Sequence, residues 1–332
     1  MLPLLIGLIP VFIFLGILVF LDNYKLVPFL TIVKAILYGL GAAVISYFIN
    51  DIILHYVDMQ TLTRYLAPIV EESVKAGWIF YLIKKGKIGF LVDGAILGFA
   101  VGSGFALAEN IYFFYNLDNM QIAFWILRGF GTAVMHGGNV AILAIVSVYL
   151  SGKNNSNRIV NFLPGWIIAI IIHSVFNQFL LPPLFNAIAE VLLLPLILLV
   201  VFSYSEKQTQ QWLQTGFDTD VKLLEYLKSG KFVQTRQGRY LSGFKTKFKG
   251  EIVMDLFCYL RIFMELAIRA KGILMMRESG LSYEVDPAVK DKFDELNYLK
   301  KSIGKSGLKV LKPLLHTDSK ELWQIYFLEK QK

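Results

Sequence analysis

Apolar residues run in long blocks through the first two thirds of the chain, at lengths that match a membrane crossing. A hydrocarbon core about 30 Å thick takes ~20 residues of helix at 1.5 Å per residue. Seven blocks reach or approach that length: 2–21, 26–50, 67–83, 88–115, 121–150, 159–181 and 184–204. The first has no basic leader and no small-residue cleavage site after Leu21, so it reads as a retained helix rather than a signal peptide. Beyond Tyr204 the pattern changes to apolar positions at helical spacing among charges, notably over 251–276 and 288–301. Asp318 and Glu321 are spaced as a capping box for a last helix ending near Leu328. The expected architecture is therefore all-α: a polytopic membrane bundle of about seven transmembrane helices over 1–204, and a small basic helical domain over 205–332.

Composition sharpens this picture. Of 332 residues, 55% are hydrophobic and 17% charged, which excludes both a single soluble domain and a disordered chain. The net charge of +8 is uneven, with about +7 of it carried by residues 205–332. A lone cysteine, Cys258, excludes an intramolecular disulfide and a cysteine-built zinc cage. Short loops set the orientation, because Lys and Arg are kept on the cytoplasmic side. The loop Lys84-Lys85-Gly86-Lys87 and the one holding Lys153 and Arg158 are basic, whereas 116–119 and 181–183 carry no base. A multi-pass cell-membrane protein with its amino terminus outside and its carboxy-terminal domain in the cytoplasm is expected. Residues 51–66, with His55, Asp58 and Arg64, then form an outer amphipathic connection. About seven bases and no acid lie between Lys228 and Lys249, interleaved with Phe232, Tyr240, Phe244 and Phe248. That stretch is either a solvated loop or a contact for anionic inner-leaflet lipid. It carries no nucleic-acid-binding motif, and no nucleic-acid partner is expected.

Ionisable residues inside the blocks call for chemistry, since a charge at the bilayer centre costs at least ~2.5 kcal/mol. Span three begins with Glu71, Glu72 and Lys75, span four ends with Glu109-Asn110, span five holds Arg128 and His136, and span six holds His173 and Asn177. With outer ends at Leu66, Tyr115, Arg128 and Leu181, the helical rise puts Glu72 and Glu109 ~9 Å deep and the two histidines ~12 Å deep. Four helices thus bring acid, imidazole and amide groups to one level. Glu71 and Lys75 share a helix face, as do His173 and Asn177. Gly94, Gly98, Gly102 and Ala106 form a small-residue stripe that admits a close neighbour helix and turns Glu109 into the bundle. Arg128 reads as an interfacial anchor, Asp93 as a boundary residue, and Glu190 in span seven as outside the site.

Two histidines and two or three carboxylates around a water-sized space can work in two ways. His136, His173 and a carboxylate such as Glu109 can hold a divalent metal such as zinc, whose bound water becomes acidic. Alternatively Glu71 or Glu72 acts as a metal-free general base, with histidine and Asn177 holding the water or stabilising the oxyanion. Both give hydrolysis, and Lys75 keeps one glutamate ionised while the other serves as base. No His-Glu-x-x-His is present, and Ser103 lacks the surroundings of a nucleophilic serine.

The series Glu71-Glu72-x-x-Lys75, Phe105-x-x-x-Glu109-Asn110, an isolated His136 and His173-x-x-x-Asn177, in that order on successive spans, resembles the PrsW family of intramembrane proteases. That family is related to the CAAX-processing and bacteriocin-processing membrane proteases, which commonly carry Arg and His where Lys75 and Glu109 stand here. The resemblance covers roughly residues 60–185 and leaves the tail unaddressed. It implies an intramembrane endopeptidase that cuts membrane-protein substrates near the outer face, anti-sigma factors or similar regulators among them. It also implies Glu71 as the water-activating base, Glu72 and Lys75 as its partners, and Glu109, His136, His173 and Asn177 completing the site. Two rival readings use the same residues: a proton- or ion-coupled transporter, for which intramembrane Glu, Lys and His are equally natural, and a membrane lipid hydrolase.

Overall fold

The computed structural model describes residues 2–117, 120–153, 159–178, 180, 182–282, 286–315 and 328. The described residues fold entirely into helices and connecting turns, with no strand among them. In chain order these are α1 (Leu2–Phe20), α2 (Phe29–Leu54), α3 (Met59–Thr61), α4 (Ala67–Lys84), α5 (Leu91–Asn116), α6 (Ile122–Leu127), α7 (Ala133–Lys153), α8 (Leu163–Asn177), α9 (Pro183–Lys228), α10 (Arg236–Ser242), α11 (Gly250–Glu278) and α12 (Ala288–Leu311). Wider π-helical turns, Leu62–Leu66 and Arg128–Thr132, lead directly into α4 and α7.

Six of the helical segments among the described residues are long and apolar enough to cross a membrane: α1, α2, α5, α6 through α7, Ile159–Asn177 and α9. The chain is a multi-pass membrane protein. The remaining expected span is α4, a helix of 18 residues interrupted by Glu71, Glu72 and Lys75. Those charges lower its hydropathy, and Glu72 and Lys75 are fully buried on the face that meets its neighbours. Arg158, Asp318 and Glu321, which carried the loop-charge and capping expectations, lie outside the described residues.

At the centre of the bundle stands α5, its residues from Leu91 to Ala106 buried without interruption. It touches α1, α2, α4 and α7, and α8 packs on α7 and α4. Glycine makes the two tightest crossings possible. A Cβ at Gly102 would lie 2.1 Å from the His136 carbonyl oxygen, and one at Gly39 of α2 would lie 2.0 Å from that of Val101. Backbones this close gain dispersion contacts that larger residues would block, which is how helices associate where water supplies no hydrophobic drive. Asp93 sits in the first turn of α5, where its Oδ2 accepts from the backbone N–H groups of Gly89 (3.0 Å) and Phe90 (3.2 Å). It thereby satisfies donors left over at the helix start.

The chain divides into two compact units, Met1–Ser205 and Glu206–Lys332. No helix stop marks that division: α9 runs through Pro195 and on to Lys228, and ends just before Gly230, with its φ of 72°. In the second unit α11 packs on α12, and Leu256, Leu260, Phe263, Leu299 and Ile303 of these two helices are buried. Lys271 is fully buried and paired with Asp220 at 2.6 Å. Arg269 and the Ala288 N–H together hold the carboxyl of Asp286 below the usual carboxylate range.

Candidate active site

The polar residues of α4, α5, α7 and α8 meet in one buried cluster. Glu72 and Lys75 are both fully buried and lie one turn apart on α4, where Lys75 Nζ donates to Glu72 Oε1 at 2.6 Å. The same oxygen receives His173 Nδ1 of α8 at 2.9 Å. Lys75 Nζ is also 3.0 Å from His136 Nδ1 of α7, and His136 Nε2 is 3.0 Å from Glu109 Oε2 of α5. The two imidazoles stand edge to face with centroids 5.0 Å apart, and Phe105 carries Lys75 Nζ over its ring at 4.2 Å. An ammonium can only donate. Lys75 therefore fixes His136 Nδ1 as acceptor, leaving Nε2–H to donate to Glu109. Glu72 likewise fixes His173 with Nδ1–H donating, which turns its Nε2 toward Glu71 Oε2 at 3.9 Å. A carboxylate that orients a histidine in this way sets the direction and basicity of the far nitrogen.

The network continues past Glu109. Arg128 Nη2 is 3.0 Å from Glu109 Oε2, and Arg128 Nε donates to Asn110 Oδ1 at 2.7 Å. Asn110 Nδ2 in turn donates to the Gly7 carbonyl at 2.9 Å, tying α1 to the site. Arg128 is thus buried within the bundle, and the expectation of an interfacial anchor is corrected. It belongs to the π-helical turn Arg128–Thr132 and stacks on Phe113 with Cζ 4.0 Å from the ring centroid, so it buries a charge that Glu109 neutralises. The signal for it was present in the sequence, because Glu109 has no cation on its own helix and Arg128 is the nearest one along the chain.

One expected site residue, Asn177, stands apart from the cluster, and Ser103 and Glu190, which were read as outside the site, make no ion pair or hydrogen bond with it among the described residues. Asn177 donates to the Thr63 carbonyl at 2.9 Å, fastening the end of α8 to the π-helical turn that starts α4. Ser103 spends its hydroxyl on the Phe99 carbonyl at 2.7 Å. Asn50 of α2, which the sequence reading did not single out, does join, with Nδ2 3.4 Å from Glu71 Oε1.

For a metal, the compact donor set is Glu71, His136 and His173, whose ligand atoms lie within 4.8 Å of one another. Glu71 takes the place in this set that Glu109 was expected to fill, because Glu109 is committed to Arg128 and to His136. Two imidazoles and one carboxylate are a donor set that suits zinc. His173 Nε2 and Glu71 face each other directly, while His136 would have to release Lys75 or Glu109 to contribute.

A buried Glu and His cluster inside a bundle of membrane-length helices defines a multi-pass membrane protein whose polar centre is compatible with hydrolysis. Within that class, the family model described as PrsW family intramembrane metalloprotease matches residues 27–204, and the chain belongs to that family. No curated protein and no solved structure matches the chain.

Proposed function

We propose that residues 1–204 form an intramembrane endopeptidase domain that hydrolyses peptide bonds of membrane proteins near the outer face, and that residues 205–332 form its cytoplasmic appendage. What supports this most is the pair Glu71 Oε2 and His173 Nε2, 3.9 Å apart, beyond direct hydrogen bonding and within the span that one water bridges. Glu71 takes a proton from that water as its oxygen attacks the scissile carbonyl carbon. The proton passes to the amide nitrogen as the C–N bond breaks. Glu72 and Lys75 hold His173 and His136 in register, with His173 Nε2 turned toward the water. Glu109, with Arg128 behind it, fixes His136, and Asn177 keeps α8 against the start of α4. A divalent ion such as zinc held by Glu71, His136 and His173 would supply Lewis-acid activation of water and carbonyl. Single-span regulators such as anti-sigma factors are the substrate class this reading favours.

The test is to incubate purified protein with a panel of single-span substrates, with and without a chelator, beside Glu71→Ala and His173→Ala variants. Both variants are expected to insert normally and to lose cleavage by ~10²-fold or more. Full activity in the purified double variant defeats the enzymatic assignment, and chelator resistance defeats the metal.

A further inference from the structure

Between α2 and α5, a cavity of about 340 Å³ opens onto the cluster; its lining includes Ser46, Tyr47, Asn50, Glu71, Glu109 and Tyr112. Its α2 wall holds two unsatisfied polar atoms. Ser46 is 1% exposed and its Oγ has no hydrogen-bond partner, and Asn50 Oδ1 is also buried without one. Ser73 and Ser103 return their hydroxyls to main-chain carbonyls four residues back, whereas Ser147 and Ser151 of α7 are buried without a partner like Ser46 but do not line this cavity. Leaving two such groups unpaired in one wall costs about 1–3 kcal/mol each. A ligand that pairs them recovers that cost.

We propose that this cleft seats the segment to be cut, as an extended, locally unwound stretch of a single-span membrane protein whose main chain bonds to the Ser46 hydroxyl and the Asn50 amide. This deepens the protease reading and rests on it. A membrane helix satisfies its own backbone groups, so unwinding it in the bilayer strands N–H and C=O groups at several kcal/mol each. A site that accepts the unwound form must supply donors and acceptors. Ser46 and Asn50 lie one turn apart on the same face of α2, ~6 Å along the axis. Backbone groups on one edge of an extended strand recur every two residues, ~6.6 Å. The two side chains therefore match alternate residues of a strand lying along α2. Asn50 also contacts Glu71, so a strand held there presents its carbonyl to the water-activating carboxylate. Tyr47 and Tyr112, with rings 5.4 Å apart, give its side chains an aromatic floor.

The experiment uses the full chain in lipid nanodiscs, with Glu71→Gln to prevent turnover and a photoreactive phenylalanine analogue at position 47 or 112, or at the lipid-facing control position 167. The probes are two synthetic single-span peptides of about 30 residues, one with an Asn-Gly break and one uninterrupted. Adducts at 47 and 112 are expected to exceed those at 167, and those from the uninterrupted peptide, by about tenfold. Adding Ser46→Ala and Asn50→Ala together is expected to lower them about tenfold without lowering the melting temperature. Equal yields from both peptides, equal yields at 167, or no response to the double substitution overturns the cleft, as does a lipid chain found crosslinked there instead. Cleavage of the same peptides by the unsubstituted protein is scored in parallel. Cleavage without cleft adducts removes this inference and leaves the protease standing, and adducts without cleavage do the reverse.

Discussion

Glu72 accepts from both Lys75 and His173 and is fully buried, whereas its neighbour Glu71 has only Asn50 at 3.4 Å and His173 at 3.9 Å and faces the cavity. Helical geometry turns adjacent residues about 100° apart, so one carboxylate is spent on holding Lys75 and His173 and the other is free for chemistry. Removing a partner from a buried ion pair leaves an uncompensated charge, at a cost of about 3–5 kcal/mol. Glu72→Ala should therefore lower the thermal stability of the detergent-solubilised protein by that order, with Lys75 stranded beside His136. Glu71→Gln gives up one long hydrogen bond and should stay within about 1 kcal/mol of the parent, while cleavage of a single-span substrate falls ~10²-fold or more. The reverse pattern, a stable and inactive Glu72→Ala beside an unstable Glu71→Gln, would exchange the two roles. The sequence alone could not separate these glutamates, because the separation lies in which neighbour helix each one meets. Arg128 was legible only in part: it is the nearest cation to Glu109 along the chain, yet at the end of a span its charge also fits an anchor, and the 3.0 Å contact with Glu109 decides between the two.

Helix crossings, more than individual side chains, place Glu109 beside His136. On α5, Gly98 and Gly102 would put a Cβ 2.5 Å from the Val140 carbonyl oxygen and 2.1 Å from that of His136, so the α5–α7 separation is set by the absence of side chains. The four-residue glycine stripe was readable in the sequence, since small residues at that spacing have few other uses in an apolar helix. Its partner was not, because a stripe states that something approaches and leaves open what does. Gly102→Ala should force the helices apart at the level of His136, at a cost of about 3 kcal/mol. It should also abolish cleavage although alanine is no worse a helix former. Thermal unfolding and turnover of the purified variant check this together, and parent-like values in both would show that the crossing has slack. The π-helical turns before α4 and α7 were likewise invisible to hydropathy. They redirect the side chains of the helices they begin, and turns of this kind recur at functional sites.

Spread over the molecule, polarity follows a simple division: an apolar unit to Ser205 carrying the cluster, and a charged helical unit beyond it. The all-helical class and the multi-pass character were legible because apolar run length is a direct consequence of bilayer thickness. Continuation of α9 through residue 204 was not, since a helix can leave the membrane without any break in its backbone and only the change in side chains records the passage. Orientation is the property of the whole chain still to be measured, and the lone Cys258 makes the measurement direct. It lies on α11 in the second unit and is half-buried, within reach of a small maleimide. Tyr56, in the connection between α2 and α4, is 84% exposed. If the amino terminus is outside, a membrane-impermeant maleimide added to intact cells should leave Cys258 unlabelled and should label it after permeabilisation. In a Cys258→Ser background, Tyr56→Cys should be labelled in intact cells. Labelling of Cys258 in intact cells, with Tyr56→Cys protected, would invert the protein in the membrane. The cluster would then face the cytoplasmic leaflet, and the substrates would have to be sought among proteins cut from the inside.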